Sequence, residues 1–316
     1  MKYFVGIDIG GTNSKIGILN GKGDLLTNTS IKTESIKGVD FSLNKIWNTV
    51  LEMAQENNID FKNIEGIGMG IPGPVINQEI VGFFANFPWE RNINISKKME
   101  NISKVKTKLD NDVNVIALGE TIFGAGKGFS KSVTIALGTG IGGGIFIDGK
   151  LISGANGVGG EIGHMKLVQN GKLCGCGQKG CFEAYASATG IIREAISRLM
   201  INKNNGLYEA IHGDLNKLEA KHIFDEAKKG DKFSLDIVDY VSEYLAMGIG
   251  NVLNLINPEV VILSGGVALA GDILLDSVRE KLKKYTLDNA LIDLQIKIGE
   301  LGNNAGIMGA ALLSEK

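Results

Sequence analysis

A unit of strand, glycine turn and strand occurs twice in this chain, at an offset of 128 residues. Residues 3–22 and 131–150 both read as two apolar strands joined by a glycine turn and closed by a second turn. Gly10 of the first copy aligns with Gly138 of the second, and no gap is needed anywhere in the unit. This repeat predicts a duplicated domain with one phosphate-sized turn in each copy.

Helical and extended patterns alternate through the rest of the chain. Apolar residues at helical spacing predict an amphipathic helix at 43–54, and a long helix is expected at 234–256. Buried strands are expected at 64–71, 105–109 and 260–263. The alternation predicts an α/β protein with two lobes and mixed sheets.

The expected domain limits follow from this pattern. Residues 1–117 should form a smaller N-terminal lobe, completed by a C-terminal helix at about 304–316. Residues 118–303 should form a larger C-terminal lobe that contains a cysteine-rich loop. Neither a linker nor a low-complexity segment separates the two lobes.

Composition excludes several classes of protein. Because 33 Lys and Arg are set against 35 Asp and Glu in 316 residues, no basic surface for nucleic acid is expected. Polar residues and Pro258 interrupt the most apolar stretch, at 252–275, so no membrane span is expected. Asp8 lies too early for the apolar region of a signal peptide, which predicts a cytoplasmic protein.

The two glycine turns are candidate phosphate sites. Backbone N–H groups without a neighbouring Cβ approach phosphate oxygens closely, and Asp8 and Thr12 add a carboxylate and a hydroxyl suited to Mg²⁺ and phosphate. The alternative is a plain tight hairpin. A P-loop sequence is missing, and the Gly138-x-Gly140-x-x-Gly143 pattern precedes a strand and not a helix, which excludes a Rossmann dinucleotide site.

The chain has 3 cysteines, which all lie within eight residues of one another. Together with His164, they give the spacing His164-x₉-Cys174-x-Cys176-x₄-Cys181, a Cys₃His set typical of a closed tetrahedral zinc site. Buried apolar cysteines beside a surface histidine would be the alternative, but the surrounding glycine-rich loop has no core periodicity. Since protein would fill all four positions, a structural zinc is expected.

Asp112 is the candidate catalytic residue. It opens a predicted helix, so either Asn111 or Asp112 could equally serve as a helix N-cap. Glu161 and Glu183 flank the cysteine loop and, taken alone, read as solvated surface charges.

Motifs along nearly the whole chain add up to a family resemblance. They are Asp8-Ile9-Gly10-Gly11-Thr12-Asn13, Gly70-Ile71-Pro72-Gly73-Pro74, Asn86-Phe87-Pro88-Trp89, Asn111-Asp112-Val113-Asn114, Gly138-Thr139-Gly140, Gly160-Glu161-Ile162-Gly163-His164, Cys174 to Glu183, Leu263-Ser264-Gly265-Gly266 and Asn304 to Ala311. The chain resembles the ROK sugar kinases (repressors, open reading frames, kinases) of the actin-like ATPase superfamily. The segment 185–190 is most similar to the bacterial glucokinase branch.

The resemblance implies a two-lobed actin-like, ribonuclease H-like fold and an ATP-dependent hexose kinase that makes glucose 6-phosphate. It implies that Asp112 takes the proton of the sugar 6-hydroxyl, with Mg²⁺-ATP as phosphoryl donor. The sugar site would comprise Gly73, Asn86, Asn111, Asp112, Glu161, His164 and Glu183. Phosphates and Mg²⁺ would be held by Asp8, Gly10, Gly11, Thr12, Asn13, Gly138, Thr139 and Gly140, with Gly265 and Gly266 near the adenosine. His164 would serve both zinc and sugar, and the protein would be a homodimer or homotetramer.

Three other functions are open at this stage. Other ROK hexose kinases, for mannose, fructose or N-acetylmannosamine, share these motifs, and polyphosphate could replace ATP. A sugar-responsive repressor would need a helix-turn-helix domain ahead of the strand that begins at Tyr3, where no room is expected. A filament-forming actin relative would leave the cysteine loop and the sugar-site carboxylates without a purpose.

Overall fold

The computed structural model describes residues 2–84 and 87–315. The strands of this part are β1 (Tyr3–Ile9), β2 (Asn13–Asn20), β3 (Leu25–Lys32), β4 (Ile64–Ile71), β5 (Val75–Ile76), β6 (Ile80–Val81), β7 (Ile93–Asn94), β8 (Thr107–Asn111), β9 (Lys131–Leu137), β10 (Ile141–Ile147), β11 (Lys150–Leu151), β12 (Val260–Ser264) and β13 (Gln295–Ile298). The α-helices are α1 (Val39–Glu56), α2 (Ile95–Ser103), α3 (Asp112–Phe123), α4 (Glu183–Ala186), α5 (Ala188–Leu199), α6 (Gly206–Ala210), α7 (Ala220–Lys228), α8 (Lys232–Ile256), α9 (Asp272–Leu282) and α10 (Ala305–Glu315).

Two five-stranded sheets repeat one topology. Their strand orders are β3-β2-β1-β4-β8 and β11-β10-β9-β12-β13. In both sheets the first strand of the glycine-turn hairpin is central, with its hairpin partner on one side and two later strands on the other. In the first sheet, β1 is antiparallel to β2 and parallel to β4, which is in turn parallel to β8. In the second sheet, β10 is antiparallel to β11 and β12 is parallel to β13. Both predictions, of duplication and of mixed sheets, are therefore confirmed.

The turns that close the two hairpin copies differ. Asp148 and Gly149, between β10 and β11, both have positive φ, the conformation of a two-residue type I′ turn. In the first copy the positive φ falls at Gly23 and not at Gly21. The N–H of Asn20 donates to the carbonyl oxygen of Asp24 at 3.1 Å. The Asn-Gly pair there thus begins a longer turn than the two-residue one that its sequence favours.

Glycines bring helix α10 onto the first sheet. A Cβ atom at Gly6 of β1 would lie 1.8 Å from the carbonyl oxygen of Ile307, and one at Gly68 of β4 would lie 1.7 Å from that of Ala310. Side chains at these two positions would push the helix away. The C-terminal helix, as expected from the sequence, therefore packs directly on the N-terminal sheet.

The predicted helices are present with slightly different limits. Helix α1 buries the expected apolar stripe, which includes Leu43, Ile46 and Val50, against the core of the first sheet. Helix α8 begins after the N-cap Asp231 and ends at Ile256, and the C-cap Asn257 adopts the left-handed conformation before Pro258. Among the helices described, none is both long enough and apolar enough to cross a lipid bilayer.

The chain divides into two compact units. The first comprises Met1–Thr134, Gly144–Gly160 and Glu300–Lys316, and the second comprises Ile135–Gly143 and Glu161–Gly299. The first unit includes β1–β8 and α1–α3, and the second includes α4–α9. The domain boundary expected after residue 117 stays a prediction.

Candidate active site and metal centre

The first glycine turn joins β1 to β2 and is closed by its own backbone. The N–H of Gly10 donates to the carbonyl oxygen of Asn13 at 3.0 Å. Thr33, which follows β3, braces the turn from outside, since its hydroxyl donates to the carbonyl oxygen of Gly10 at 2.8 Å. Gly11 and Thr12 stay exposed at the tip, where backbone and hydroxyl groups can meet a ligand.

Asp8 lies at the base of this turn in a site that disfavours its charge. Burial raises the pKa of its carboxyl group, and the ammonium group of Lys15, 4.0 Å away across the hairpin, opposes this effect. A Cβ atom at Gly306 of α10 would come within 2.7 Å of the Asp8 carboxylate, so this glycine makes room for it. A partly buried carboxylate whose ion-pair partner in the described part of the chain, Lys15, is as far away as 4.0 Å fits a site completed by a metal ion.

The second glycine turn, between β9 and β10, is held from outside by the start of α4 and α5. The carboxylate of Glu183 accepts the N–H of Ile141 at 3.0 Å, and the N–H of Ala188 donates to Gly138 at 2.9 Å. Gly265, at the end of β12, has φ of 87° and lies so close to Leu137 that a Cβ atom would be 2.6 Å from its carbonyl oxygen. The predicted adenosine residue Gly265 therefore lies beside this turn.

Asn111, and not Asp112, caps the helix that carries the candidate catalytic residue. Its side-chain oxygen accepts the N–H groups of Val113 at 2.9 Å and of Asn114 at 3.3 Å. Its amide nitrogen donates to the carbonyl oxygen of Gly73 at 3.2 Å, which brings together two predicted sugar residues. Asp112 is the first residue of α3. Its own Oδ1 also accepts the N–H of Val113 at 3.0 Å, so Asn111 is the N-cap and Asp112 is a second acceptor in the same first turn.

Sequence reasoning missed Asp110, which lies two residues before Asp112. This residue is buried, and its Oδ1 accepts the N–H of Asn111 and the side-chain amide of Asn114, both at 2.7 Å. Burial raises the pKa of Asp110, and hydrogen bonds from Asn114, Asn111 and Ser153 counteract the increase. The signal in the sequence is a carboxylate directly after the strand predicted at 105–109.

The four candidate metal ligands meet in space. One donor atom from each of His164, Cys174, Cys176 and Cys181 lies within 4.8 Å of all the others. The sulfur atoms of Cys176 and Cys181 are 3.8 Å apart, as is Cys174 Sγ from His164 Nδ1. In a tetrahedron with Zn–S bonds of about 2.3 Å, sulfur atoms are about 3.8 Å apart. The donor set and its spacing therefore fit zinc.

Three further charged groups lie beside this cluster, and one of them is Glu183, whose Oε1 is 3.3 Å from Cys174 Sγ. Lys166 donates to Cys181 Sγ at 2.8 Å, which places a positive charge beside a sulfur ligand. The other ring nitrogen of His164, Nε2, faces the carboxylate of Glu161 at 3.9 Å. His164 thus directs one nitrogen at the cysteine cluster and leaves the other to a predicted sugar residue.

Not all predicted site residues can be placed. Asn86 lies outside the described residues. Asp8, Gly10, Gly73, Asn111 and Asp112 belong to the first compact unit, whereas Gly138, Glu161, His164, Glu183 and Gly265 belong to the second. Within each unit, the structure brings the predicted residues together around a glycine turn, a helix start or the cysteine cluster.

Comparison with known proteins identifies the family. The ROK family profile matches residues 4–316. The chain belongs to the ROK family. A glucokinase of Thermotoga maritima is 36% identical over 97% of this chain and 95% of its own length.

Two solved structures of ROK proteins share the fold. A ROK glucokinase from Streptomyces griseus, in complex with glucose and AMPPNP, is 32% identical, covers 98% of both chains and has a TM-score of 0.84. A ROK family transcriptional regulator, a homologue of the E. coli MLC protein, is 26% identical over 99% of this chain and 78% of its own, with a TM-score of 0.87. The predicted family and fold class are confirmed.

Proposed function

We propose that this ROK protein is a glucokinase, which transfers the γ-phosphoryl group of ATP to the 6-hydroxyl group of glucose. The observation that carries the proposal is the helix start at residues 111–112. Asn111 supplies the cap and reaches Gly73, and this fixes Asp112 beside it, at the helix start, as the base that the family resemblance implies.

The reaction needs an oriented hydroxyl group and neutralised phosphate charge more than covalent help from the protein. Asp112 accepts the proton of the 6-hydroxyl group while the oxygen of that hydroxyl group forms a bond to the γ-phosphorus. The bond between this phosphorus and the leaving oxygen of ADP breaks. The proton then leaves Asp112 for solvent. Gly73, Asn86, Asn111, Glu161, His164 and Glu183 are the proposed contacts of the other sugar hydroxyls.

The glycine turns are the proposed phosphate sites. Backbone N–H groups of Gly11 and Thr12 in the first turn, and of Thr139 and Gly140 in the second, can donate to phosphate oxygens. The N–H groups of Gly10 and Gly138 close the turns themselves, by donating to Asn13 and Gly140. Gly265 and Gly266 are assigned to the adenosine. Asp8, a partly buried carboxylate at the base of the first turn, is the proposed group for Mg²⁺, which when bound would neutralise charge on the phosphates.

Zinc has a structural role in this proposal. His164, Cys174, Cys176 and Cys181 would fill its four positions and leave none for water or substrate. The ion would fix the loop that positions Glu161, His164 and Glu183. The protein is further proposed to work in the cytoplasm, in glycolysis, as a homodimer or homotetramer.

A coupled assay with ATP and a panel of glucose, mannose, fructose and N-acetylmannosamine tests the proposal. We expect the highest kcat/KM with glucose. A higher kcat/KM with another hexose would instead assign the protein the activity of another branch of the ROK kinases. The similarity to a ROK regulator makes a sugar-binding repressor the second candidate, and binding of sugar without turnover on any member of the panel would favour it.

A further inference from the structure

The segment from Glu183 to Ala188 forms hydrogen bonds with both ends of the second glycine turn. The N–H of Ile141, which follows the turn, donates to Glu183 Oε2 at 3.0 Å. The carbonyl oxygen of Gly138, which begins the turn, accepts the N–H of Ala188 at 2.9 Å. Inside the turn, Gly138 donates to Gly140 at 3.0 Å. The turn is therefore held by contacts from a segment more than 40 residues away, as well as by its own backbone.

Gly140 packs directly on the same carboxylate. A Cβ atom at this position would lie 2.2 Å from Glu183 Oε2 and 3.1 Å from Glu183 Cδ. Any larger residue at 140 would force the carboxylate aside and separate it from Ile141. The contact between Glu183 and Ile141 thus requires that residue 140 has no side chain.

We propose that Glu183 is a positioning residue for the nucleotide, because it fixes the turn 138–141 through the N–H of Ile141. The inference rests on the proposed function, which assigns this turn to the phosphates of ATP. A contact with sugar, the role implied by the family resemblance, does not account for an oxygen bonded to the turn. Glu183 therefore affects the nucleotide and the sugar through two different interactions.

The two interactions require different chemistry. The N–H of Ile141 needs only an acceptor oxygen, which the side-chain amide of glutamine also provides. A sugar hydroxyl bonds a carboxylate more strongly than a neutral amide. Glu183→Gln therefore separates the two roles, whereas Glu183→Ala removes both.

Calorimetric titration of the full-length protein with Mg²⁺-AMPPNP, and separately with glucose, tests the proposal. We expect Glu183→Ala to weaken AMPPNP binding about tenfold, the effect of losing one hydrogen bond to a charged group. Glu183→Gln should stay within about twofold of wild type for AMPPNP but lose glucose affinity. Asp231→Ala, which removes the N-cap of α8 in the same unit, is the control for general loss of stability and should leave AMPPNP affinity unchanged.

Gly140→Ala provides an independent test through a double-mutant cycle. It should weaken AMPPNP binding, and the double variant with Glu183→Ala should bind no worse than the weaker single variant, since both changes break one contact. Hydrogen exchange should show loss of protection at the Ile141 amide in Glu183→Ala and retention in Glu183→Gln.

Each result decides between the alternatives. Wild-type AMPPNP affinity in Glu183→Ala, or fully additive effects in the cycle, would overturn the positioning role. Failure of the wild-type protein to bind AMPPNP would instead overturn the proposed function, and Ile141 exchange would still report on the contact.

Discussion

Asp110 Oδ1 lies 2.7 Å from the side-chain nitrogen of Asn114, one turn further along the chain in helix α3. The same oxygen accepts the backbone N–H of Asn111. A buried carboxylate thus fixes the strand end and the first helical turn on either side of Asp112. The position of the candidate base is set by its neighbours, which can be tested separately from its chemistry.

Asp112→Asn should lower kcat about 10²–10⁴-fold, the usual effect of losing a general base. The free energy of unfolding should change little because Asn111 supplies the cap. Asn111→Ala is the matched variant and should cost about 0.5–2 kcal/mol of stability. Steady-state kinetics and urea unfolding of both variants provide the measurement. Turnover of Asp112→Asn within a few-fold of wild type would rule out the proposed base.

Asp8→Asn should stabilise the fold at neutral pH. Burial raises the pKa of Asp8 above the value of 3.8 typical of an unfolded chain, so the folded protein bears the cost of a buried charge whenever the carboxyl is ionised. This cost is fully present above the folded pKa and disappears as the pH falls through it towards 3.8. The gain from Asp8→Asn should therefore be largest at pH 7 and shrink in acid.

Thermal unfolding of Asp8→Asn at several pH values, without ligands, measures this difference. Glu65→Gln, a change at an exposed acid of strand β4 in the same sheet, is the control and should show no such trend. A lower Tm for Asp8→Asn at pH 7 would mean that the attraction of Lys15 outweighs burial.

Cys176→Ser should release most of the bound zinc, because a neutral hydroxyl is a far weaker ligand than a thiolate. Loss of the ion should loosen the loop 171–183 and lower glucose affinity through misplacement of His164. Metal content by mass spectrometry and glucose titration on one sample provide the measurement. Lys179→Ala, in the same loop, is the control and should keep its zinc. Unchanged glucose binding in a zinc-free sample would contradict a structural role.

Glu120→Ala should be strongly destabilising. The carboxylate is fully buried on α3 and accepts three backbone N–H groups, from Ala125 at 3.2 Å, Glu300 at 3.0 Å and Leu301 at 2.9 Å. Each buried donor left without a partner costs about 1–3 kcal/mol, so a total loss of at least about 3 kcal/mol is expected.

Thr121→Val is the control for Glu120→Ala, since it removes a single buried hydrogen bond, to Ser132, from the same helix. It should cost about 1 kcal/mol. Chemical denaturation of both variants measures the difference, and equal losses would show that the three backbone contacts of Glu120 add nothing.

Much of the fold was predictable because the signals were local. The repeat of strand and glycine turn predicted both hairpins, and the spacing of Leu43, Ile46 and Val50 predicted α1. The limits of β8 were less well predicted. This strand runs from Thr107 to Asn111 and not from 105 to 109, since pairing with β4, and not apolar character, decides where it ends.

The sequence alone determined the candidate metal set, since His164 and the cysteines lie within 18 residues and only their residue types and spacing matter. It also determined the glycine turns as far as each is closed by its own backbone, through the bonds from Gly10 to Asn13 and from Gly138 to Gly140. The tertiary structure alone decided that Asn111 reaches Gly73, that Glu183 bonds Ile141 at a separation of 42 residues and that Glu120 bonds Leu301 at a separation of 181. These contacts depend on how strands and helices pack after the chain has folded, and no local pattern of residues encodes a partner so far along the chain.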